Sequence, residues 1–231
     1  MTGTYDWNPM PHKVDVKCPQ CGLRAEFEFA EVCRIELKAD VEFFKNCTQF
    51  EYRQFQDSCG HYWHGALYYA GLHGDPRVAL GNLPLGYEPS NWNHSKYLYR
   101  SHGMDIGSVY CEHCHIRKMH NLSWPNDAYY AVSYKNNVLW AFNRESACDL
   151  HDFILSKTRD ISKYRCSSFL LHVPTVFKTL KARELVAKKL LRLLAGNIRL
   201  RSNNSFQGTT KRLRFSSAPE LKRYVLVRPK C

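Results

Sequence analysis

Alternating apolar and polar positions predict β-structure in the N-terminal third of the chain. Residues 1–17 show no clear period and are predicted to form an irregular lead-in. Apolar and acidic side chains alternate over 25–29, which predicts a half-buried strand, and a second strand is predicted over 32–37. The stretch 41–52 fits either a strand or a loop. Closely spaced Gly and Pro over 60–104 predict a long and mostly irregular segment.

Aromatic and β-branched runs predict a β-hairpin in the second half of the chain. The runs 128–134 and 138–142 flank Lys135-Asn136-Asn137, and asparagine tolerates the positive φ that a tight hairpin turn requires. Asn143 then has the properties of an N-cap, which predicts a helix through about Ser156.

A long amphipathic helix is predicted near the C-terminal end, after a short apolar strand at 169–173. Its bounds are about Thr175 to Ala195, with Gly196 as the residue that ends it. Leucine, valine and alanine recur at helical spacing on one side, while lysine and arginine lie largely off that side. The predicted apolar stripe consists of Leu180, Val186, Ala187, Leu190, Leu191, Leu193 and Leu194.

Two short segments share a cysteine pattern that is typical of metal binding. Cys18 and Cys21 form one Cys-x-x-Cys turn, and Cys111 and Cys114 form another. After each pair come one residue, an aliphatic residue and an arginine. Two such turns facing each other supply four thiolates to one ion at about 2.3 Å. The pattern resembles a zinc ribbon, which implies one Zn²⁺ in a closed, structural site without a position for water.

Other metal assignments remain open because the two cysteine pairs are far apart in the sequence. Cys59, His61 and His64 could join either pair and create two sites. Cys33 and Cys47 are further candidate ligands. A redox dithiol is a weaker alternative, because neither pair lies in a βαβ pattern.

A nuclease is the leading enzymatic alternative. The segment 111–118 is similar to the closing Cys-x-x-Cys-His-x-x-Lys segment of the HNH nuclease family. That resemblance implies His94 as a candidate general base and His115 as a candidate ligand of a catalytic metal. Eight of the eleven histidines lie between residues 61 and 120, but no His-Glu-x-x-His pattern is present. The preferred interpretation therefore has no catalytic residue.

The charge is concentrated in the C-terminal part. The chain carries a formal net charge of +12, yet residues 1–150 hold 14 basic and 17 acidic side chains, whereas 151–231 hold 19 and four. Such asymmetry points to a polyanionic partner, either nucleic acid or an acidic protein, and the alternative is a solvated face that has no partner. The cations predicted to contact nucleic acid are Lys188, Lys189, Arg192, Arg199, Arg201, Lys211, Arg212, Arg214, Lys222 and Arg223. Aromatic residues among them could stack on bases.

Together these features predict an α+β fold: a zinc-ribbon-like β portion with a long insertion, then a hairpin–helix unit and a basic amphipathic helix. The expected divisions are 12–124, 125–196 and a basic tail over 197–231. The expected function is that of a zinc-stabilised, non-enzymatic accessory protein that binds DNA or RNA. A protein-interaction adaptor is a third alternative. With no signal peptide and no membrane-length apolar run, we expect a cytoplasmic protein with no membrane partner.

Overall fold

The computed structural model describes residues 10–57, 59–98 and 105–203, with side chains to residue 196. The fold of this part is α+β, with antiparallel sheets and helices. The strands are β1 (Lys13–Lys17), β2 (Arg24–Phe29), β3 (Glu31–Ile35), β4 (Phe50–Gln56), β5 (Tyr62–Tyr68), β6 (Asn93–His94), β7 (Ile106–Tyr110), β8 (Arg117–Asn121), β9 (Tyr130–Tyr134) and β10 (Asn137–Ala141). The α-helices are α1 (Val41–Asn46), α2 (Ala70–His73), α3 (Pro76–Ala79), α4 (Arg144–Leu155), α5 (Ser167–Leu171) and α6 (Leu180–Asn203).

The first sheet consists of two hairpins laid side by side in the order β1-β2-β7-β8. Strand β2 alternates as its sequence predicts, with Ala25, Phe27 and Phe29 buried on the apolar face of the sheet. Phe27 is fully buried at the centre of the apolar face, where it pairs with Val14 on one side and Val109 on the other. This register aligns the two hairpins so that their connecting turns lie at the same end of the sheet.

The β9–β10 hairpin and the C-terminal helices cover the apolar face. Lys135 and Asn136 both have positive φ in the β9–β10 turn, which confirms the hairpin prediction. Asn143 and Ser146 form a reciprocal capping box at the start of α4, as the N-cap prediction required. The β1 strand joins this unit through a bridge between Val16 and Ala128.

Helix α6 is the long helix expected from the sequence, although its bounds and its buried face differ. Its buried positions recur every four residues at Ala182, Val186, Leu190 and Leu194, facing α4 and β9. The predicted stripe was wrong at two residues, because Leu180 is 72% exposed and Leu191 is 53% exposed. The helix also continues through the predicted stop at residue 196 and ends at residue 203. Glycine weakens a helix but does not end it when neighbouring turns are packed.

The segment between the two cysteine pairs forms a second sheet, with the order β4-β5-β3-β6. It has hydrophobic clusters of its own, one of which is centred on Phe44, Phe50 and Tyr68. The prediction of mostly irregular structure over 60–104 was wrong for β5, a seven-residue strand that pairs on both sides. The rest of that segment, where the structure describes it, consists of short helical turns, the two-residue strand β6 and connections.

Two further short elements differ from the prediction. The expected irregular lead-in contains β1, and the expected strand at 169–173 is largely occupied by helix α5. Four apolar residues among the five of 169–173 show no period that distinguishes a strand from a helical turn. Phe169 and Leu170 are buried, and the helical turn that carries them packs against α4.

The hydrophobic core does not follow the expected divisions. One cluster joins Phe27 and Val109 of the first sheet to Tyr130, Leu150 and Leu190, so the boundary between 124 and 125 falls inside a shared core. Helix α6 likewise crosses the boundary between 196 and 197. Most of the expected basic tail lies outside the described residues. Within the described residues, none of the helices has both the length and the apolar character needed to cross a bilayer.

Gly107 marks a position where two strands approach unusually closely. A Cβ atom built on Gly107 would lie 2.1 Å from the carbonyl oxygen of Glu28 and 2.6 Å from the ring of Phe27. Backbone cannot move aside as a flexible side chain can. We therefore expect Gly107→Ala to lower the free energy of unfolding by about 2–3 kcal/mol, the cost of overpacking a tight interior. Urea unfolding measures this loss of stability. Gly81→Ala is the control, because a Cβ atom at Gly81 would meet nothing within 4 Å and should leave the stability unchanged.

Candidate metal centre

The first Cys-x-x-Cys turn closes the β1–β2 hairpin. The backbone N–H of Cys18 donates to the carbonyl of Leu23 at 2.7 Å, and the N–H of Gly22 donates to the carbonyl of Cys18 at 2.9 Å. Gly22 has a φ of +73°, a left-handed conformation that glycine adopts without a steric cost. The turn places both cysteine side chains on its inner side.

The second turn closes the β7–β8 hairpin with the same hydrogen bonds. The N–H of Cys111 donates to the carbonyl of Ile116 at 3.0 Å, and the N–H of His115 donates to the carbonyl of Cys111 at 2.9 Å. His115 occupies the position that Gly22 has in the first turn, with a φ of +58°. A residue with a Cβ costs roughly 1–2 kcal/mol there. The weak repeat in the sequence thus corresponds to a matched pair of turns.

Pairing of β2 with β7 brings the two turns together. The Sγ atoms of Cys18 and Cys114 are 3.5 Å apart, and those of Cys21 and Cys111 are 3.6 Å apart. All four sulfur atoms lie within 4.8 Å of one another. Four thiols at this spacing can hold a metal ion. Since all four positions around such an ion would be thiolates, the site would be closed to water and structural rather than catalytic.

The thiols of this cluster differ in how readily they ionise. Burial opposes ionisation of Cys18, but the N–H groups of Cys21 and Gln20, at 3.5 and 3.4 Å from its sulfur, together with the Cys114 thiol, lower its pKa to about 7. Burial and the neighbouring thiols raise the pKa of Cys21 to about 12. A cluster of four thiols can lose all its protons only when a cation compensates the charge. The donor set therefore fits a metal ion.

The other cysteine and histidine candidates lie elsewhere. Cys59 and His61 are exposed near the β4–β5 turn, where His61 approaches Asp57. His64 instead lies 2.5 Å from the Tyr52 hydroxyl, measured from its Nδ1 atom. Cys33 is buried in the second sheet and Cys47 packs on the same cluster. Among the described residues, none of these candidates joins a group of three potential ligands.

The two histidines of the nuclease alternative lie at opposite ends of the first sheet. His115 belongs to the second cysteine turn, and its side chain is exposed. His94 lies in β6, and its ring stacks on His12, with 3.9 Å between the ring centroids. His12 precedes β1 and Cys18 follows it, so about 20 Å of strand separates the two ends at about 3.3 Å per residue. His94 and His115 therefore do not converge on one metal.

Two residues important to this centre were missed by the sequence analysis. Asp15 is 5% exposed, and its Oδ1 accepts a hydrogen bond from Arg24 at 2.8 Å. Arg24 is the arginine that follows the first turn, and its carbonyl oxygen lies 3.7 Å from the sulfur of Cys111. The polar residue between Val14 and Val16 was the available signal, because all three positions are buried in β1, although this strand lies at the edge of the first sheet.

The predicted nucleic-acid residues fall into three groups. Lys188, Lys189 and Arg192 are exposed on α6, where Lys189 also donates to the backbone carbonyl of Ser133 at 3.0 Å. Arg199 and Arg201 lie in the same helix, beyond the last residue whose side chain is described. The remaining residues lie outside the described part of the chain, namely Lys211, Arg212, Arg214, Lys222 and Arg223.

Comparisons with protein-family models, with curated proteins and with solved structures found no match to this chain.

Proposed function

We propose that Cys18, Cys21, Cys111 and Cys114 bind one Zn²⁺ ion as a structural centre of the zinc-ribbon type. A zinc ion with tetrahedral Zn–S bonds of about 2.3 Å separates its sulfur ligands by about 3.8 Å. The sulfur atoms of Cys18 and Cys114, and those of Cys21 and Cys111, are 3.5 and 3.6 Å apart, which is close to that spacing. Two hairpins that each contribute one cysteine turn also match the zinc-ribbon arrangement. The ion would fasten the two ends of the segment that forms the second sheet.

The protein as a whole would act as a non-enzymatic accessory protein that binds DNA or RNA. The observation that carries this proposal is the outer face of α6. Helix α6 has seven basic residues and only one acidic residue, Glu184. Its buried residues Val186 and Leu190 face the core, whereas Lys188 and Arg192 are exposed to solvent. Cations on one helix face can neutralise phosphates and release counterions, without reading the base sequence.

The expected result concerns the salt dependence of binding by the full chain. The triple variant Lys188→Ala/Lys189→Ala/Arg192→Ala should bind a fluorescent single-stranded or duplex oligonucleotide at least about tenfold more weakly at low salt. The slope of log affinity against log salt should fall by up to about two to three units, since each phosphate contact contributes about 0.7–0.9. Fluorescence anisotropy over a salt series measures both quantities.

A matched control removes three cations that do not belong to α6. Arg34→Ala/Lys38→Ala/Lys45→Ala changes the net charge equally, and all three side chains are exposed in or near the second sheet. This variant should bind nucleic acid with nearly the wild-type salt slope. Equal losses in the two triple variants, or binding that does not respond to salt, would contradict a contact through α6.

The nuclease alternative receives less support than the accessory role, because it requires His94 and His115 at one metal. A protein-interaction adaptor would use the same basic face to bind an acidic partner. Failure to bind any oligonucleotide, together with a protein that co-purifies after nuclease treatment, would favour the adaptor.

A further inference from the structure

A second group of potential metal ligands lies at the end of the first sheet remote from the cysteines. His12 immediately precedes β1, and its carbonyl accepts a hydrogen bond from the N–H of Phe29. Glu31 begins β3 and pairs directly with His94 of β6. Three segments distant in sequence thus bring two imidazoles and a carboxylate together at the junction of the two sheets.

The distances within this group suit ligands of a shared ion. The potential ligand atoms of His12, Glu31 and His94 lie within 4.8 Å of one another. The His12 Nε2 atom is 3.6 Å from Oε1 of Glu31 and 3.2 Å from Oε1 of Glu28. The His94 Nδ1 atom is 3.0 Å from Oε2 of Glu31. Ligands bound at about 2.1 Å around one metal ion are separated by about 3.0–3.4 Å.

Hydrogen bonds do not account for all the ring nitrogen atoms of this group. The His94 Nδ1 atom is buried and makes no hydrogen bond, although the Glu31 carboxylate is only 3.0 Å away. A nitrogen and a carboxylate oxygen that approach closely without a hydrogen-bonding angle can both direct lone pairs at a cation. The His12 Nδ1 atom is also buried without a hydrogen-bond partner.

The surrounding charge favours a cation as well. Three carboxylates lie along this edge, from Glu26, Glu28 and Glu31, and the neighbouring cations are Lys13 and Lys96. Lys96 is buried and directs its ammonium group to the carbonyl of Met10. Three carboxylates against two ammonium groups leave an excess of negative charge beside the two imidazoles.

We propose that His12, Glu31 and His94 form a second metal site, which binds a divalent transition-metal ion through two imidazoles and a carboxylate. Glu28 is placed to serve as a fourth ligand or to orient His12. A cleft of about 420 Å³ is lined by Glu28 and Glu31 together with Asp75, Arg77 and Ser90. A set of three protein ligands leaves a coordination position open, unlike the closed four-cysteine centre.

The test is a metal titration of the full chain after the four-cysteine centre has been loaded with Zn²⁺. Titration with Co²⁺ should show one further equivalent per chain, with visible ligand-field bands but without thiolate-to-cobalt charge-transfer bands. Glu31→Gln and, separately, His94→Ala should weaken this second binding step by at least about tenfold, the lower end of the loss seen when metal-site partners are removed.

His61→Ala is the matched control, because it removes an exposed histidine that also lies beside a carboxylate, Asp57. It should leave the second equivalent unchanged. Circular dichroism and retention of the first zinc establish that each variant is folded, and Glu28→Gln offers a milder change if His94→Ala does not fold. Saturation of the wild type at one metal per chain, or undiminished binding by Glu31→Gln, would overturn the proposal. Oligonucleotide binding by Glu31→Gln should persist, which separates this site from the proposed function.

Discussion

Replacing either Cys18 or Cys111 with serine is expected to abolish zinc binding at the four-cysteine centre and to destabilise the first sheet. One ion held by four thiolates loses a strong ligand in each variant, and the remaining three cysteines cannot complete the tetrahedron. Structural zinc contributes about 10–16 kcal/mol of apparent binding free energy in small zinc-binding peptides. That is comparable with the whole stability of a typical domain, about 5–15 kcal/mol.

The two variants should behave alike, although the cysteines lie in different hairpins. Elemental analysis of purified wild-type protein should give one zinc per chain from this centre, and both variants should lose it. Thermal unfolding should shift to lower temperature by similar amounts, and strong chelators should produce the same shift in the wild type. Iron in place of zinc would contradict the metal identity. Loss of zinc from Cys18→Ser but not from Cys111→Ser would contradict a shared site.

Cys59→Ser provides the control for this comparison. Cys59 is exposed near the β4–β5 turn and belongs to the alternative ligand set considered from the sequence. Its replacement should change neither the zinc content nor the melting temperature by a measurable amount. A loss of metal in this variant would restore the alternative with two sites.

Features encoded by neighbouring residues were the ones that the sequence predicted well. The cysteine turns were recognisable because two residues separate the ligands of each pair, and the structure places all four sulfurs together. The β9–β10 hairpin and the start of α4 were predicted because Asn136 and Asn143 act on their own local backbone. In each case, the chemistry that determines the structure lies within a few residues.

Features that depend on distant contacts could not be predicted. Strand β5 was missed because glycine and histidine obscure its alternation, and it gains its stability by pairing with β3 and β4. His12 and Glu31 have no short-range pattern that connects them with His94. Leu191 was assigned to the wrong face because a helix with leucine on several sides does not show which side meets the core. That choice is made by α4 and β9, against which α6 packs.

Asp15→Ala is expected to be the most destabilising substitution outside the metal ligands. The Oδ1 atom of Asp15 accepts from Arg24, and Oδ2 accepts from the backbone N–H of Arg144, the first residue of α4, at 3.0 Å. The Asp15 backbone also donates to Phe142 at 2.7 Å and accepts from Tyr129 at 3.0 Å. One residue thus connects the first sheet to the hairpin and the helix that cover it.

Removal of the Asp15 carboxylate leaves the partly buried Arg24 guanidinium and the α4 terminus without their partner. The loss should be about 3–5 kcal/mol, the range for breaking one side of a buried ion pair. Asp15→Asn should cost less, because its amide oxygen still accepts one hydrogen bond. Urea unfolding followed by circular dichroism measures both variants. Asp160 is exposed and caps a short turn by accepting a hydrogen bond from the N–H of Ser162. Asp160→Ala should therefore lower the free energy of unfolding by only about 1 kcal/mol.

The contacts of Asp15 with Arg24 and with the start of α4 should couple this helix to the metal centre. Arg24 lies directly after the first cysteine turn, so loss of Asp15 should also loosen the hold on the ion and speed zinc release to a chelator. Asp160→Ala should release zinc at the wild-type rate. If Asp15→Ala were as stable as Asp160→Ala and released zinc no faster, the buried carboxylate would not connect the two parts. If both changes appear together, the metal and the C-terminal helices stabilise one cooperative unit.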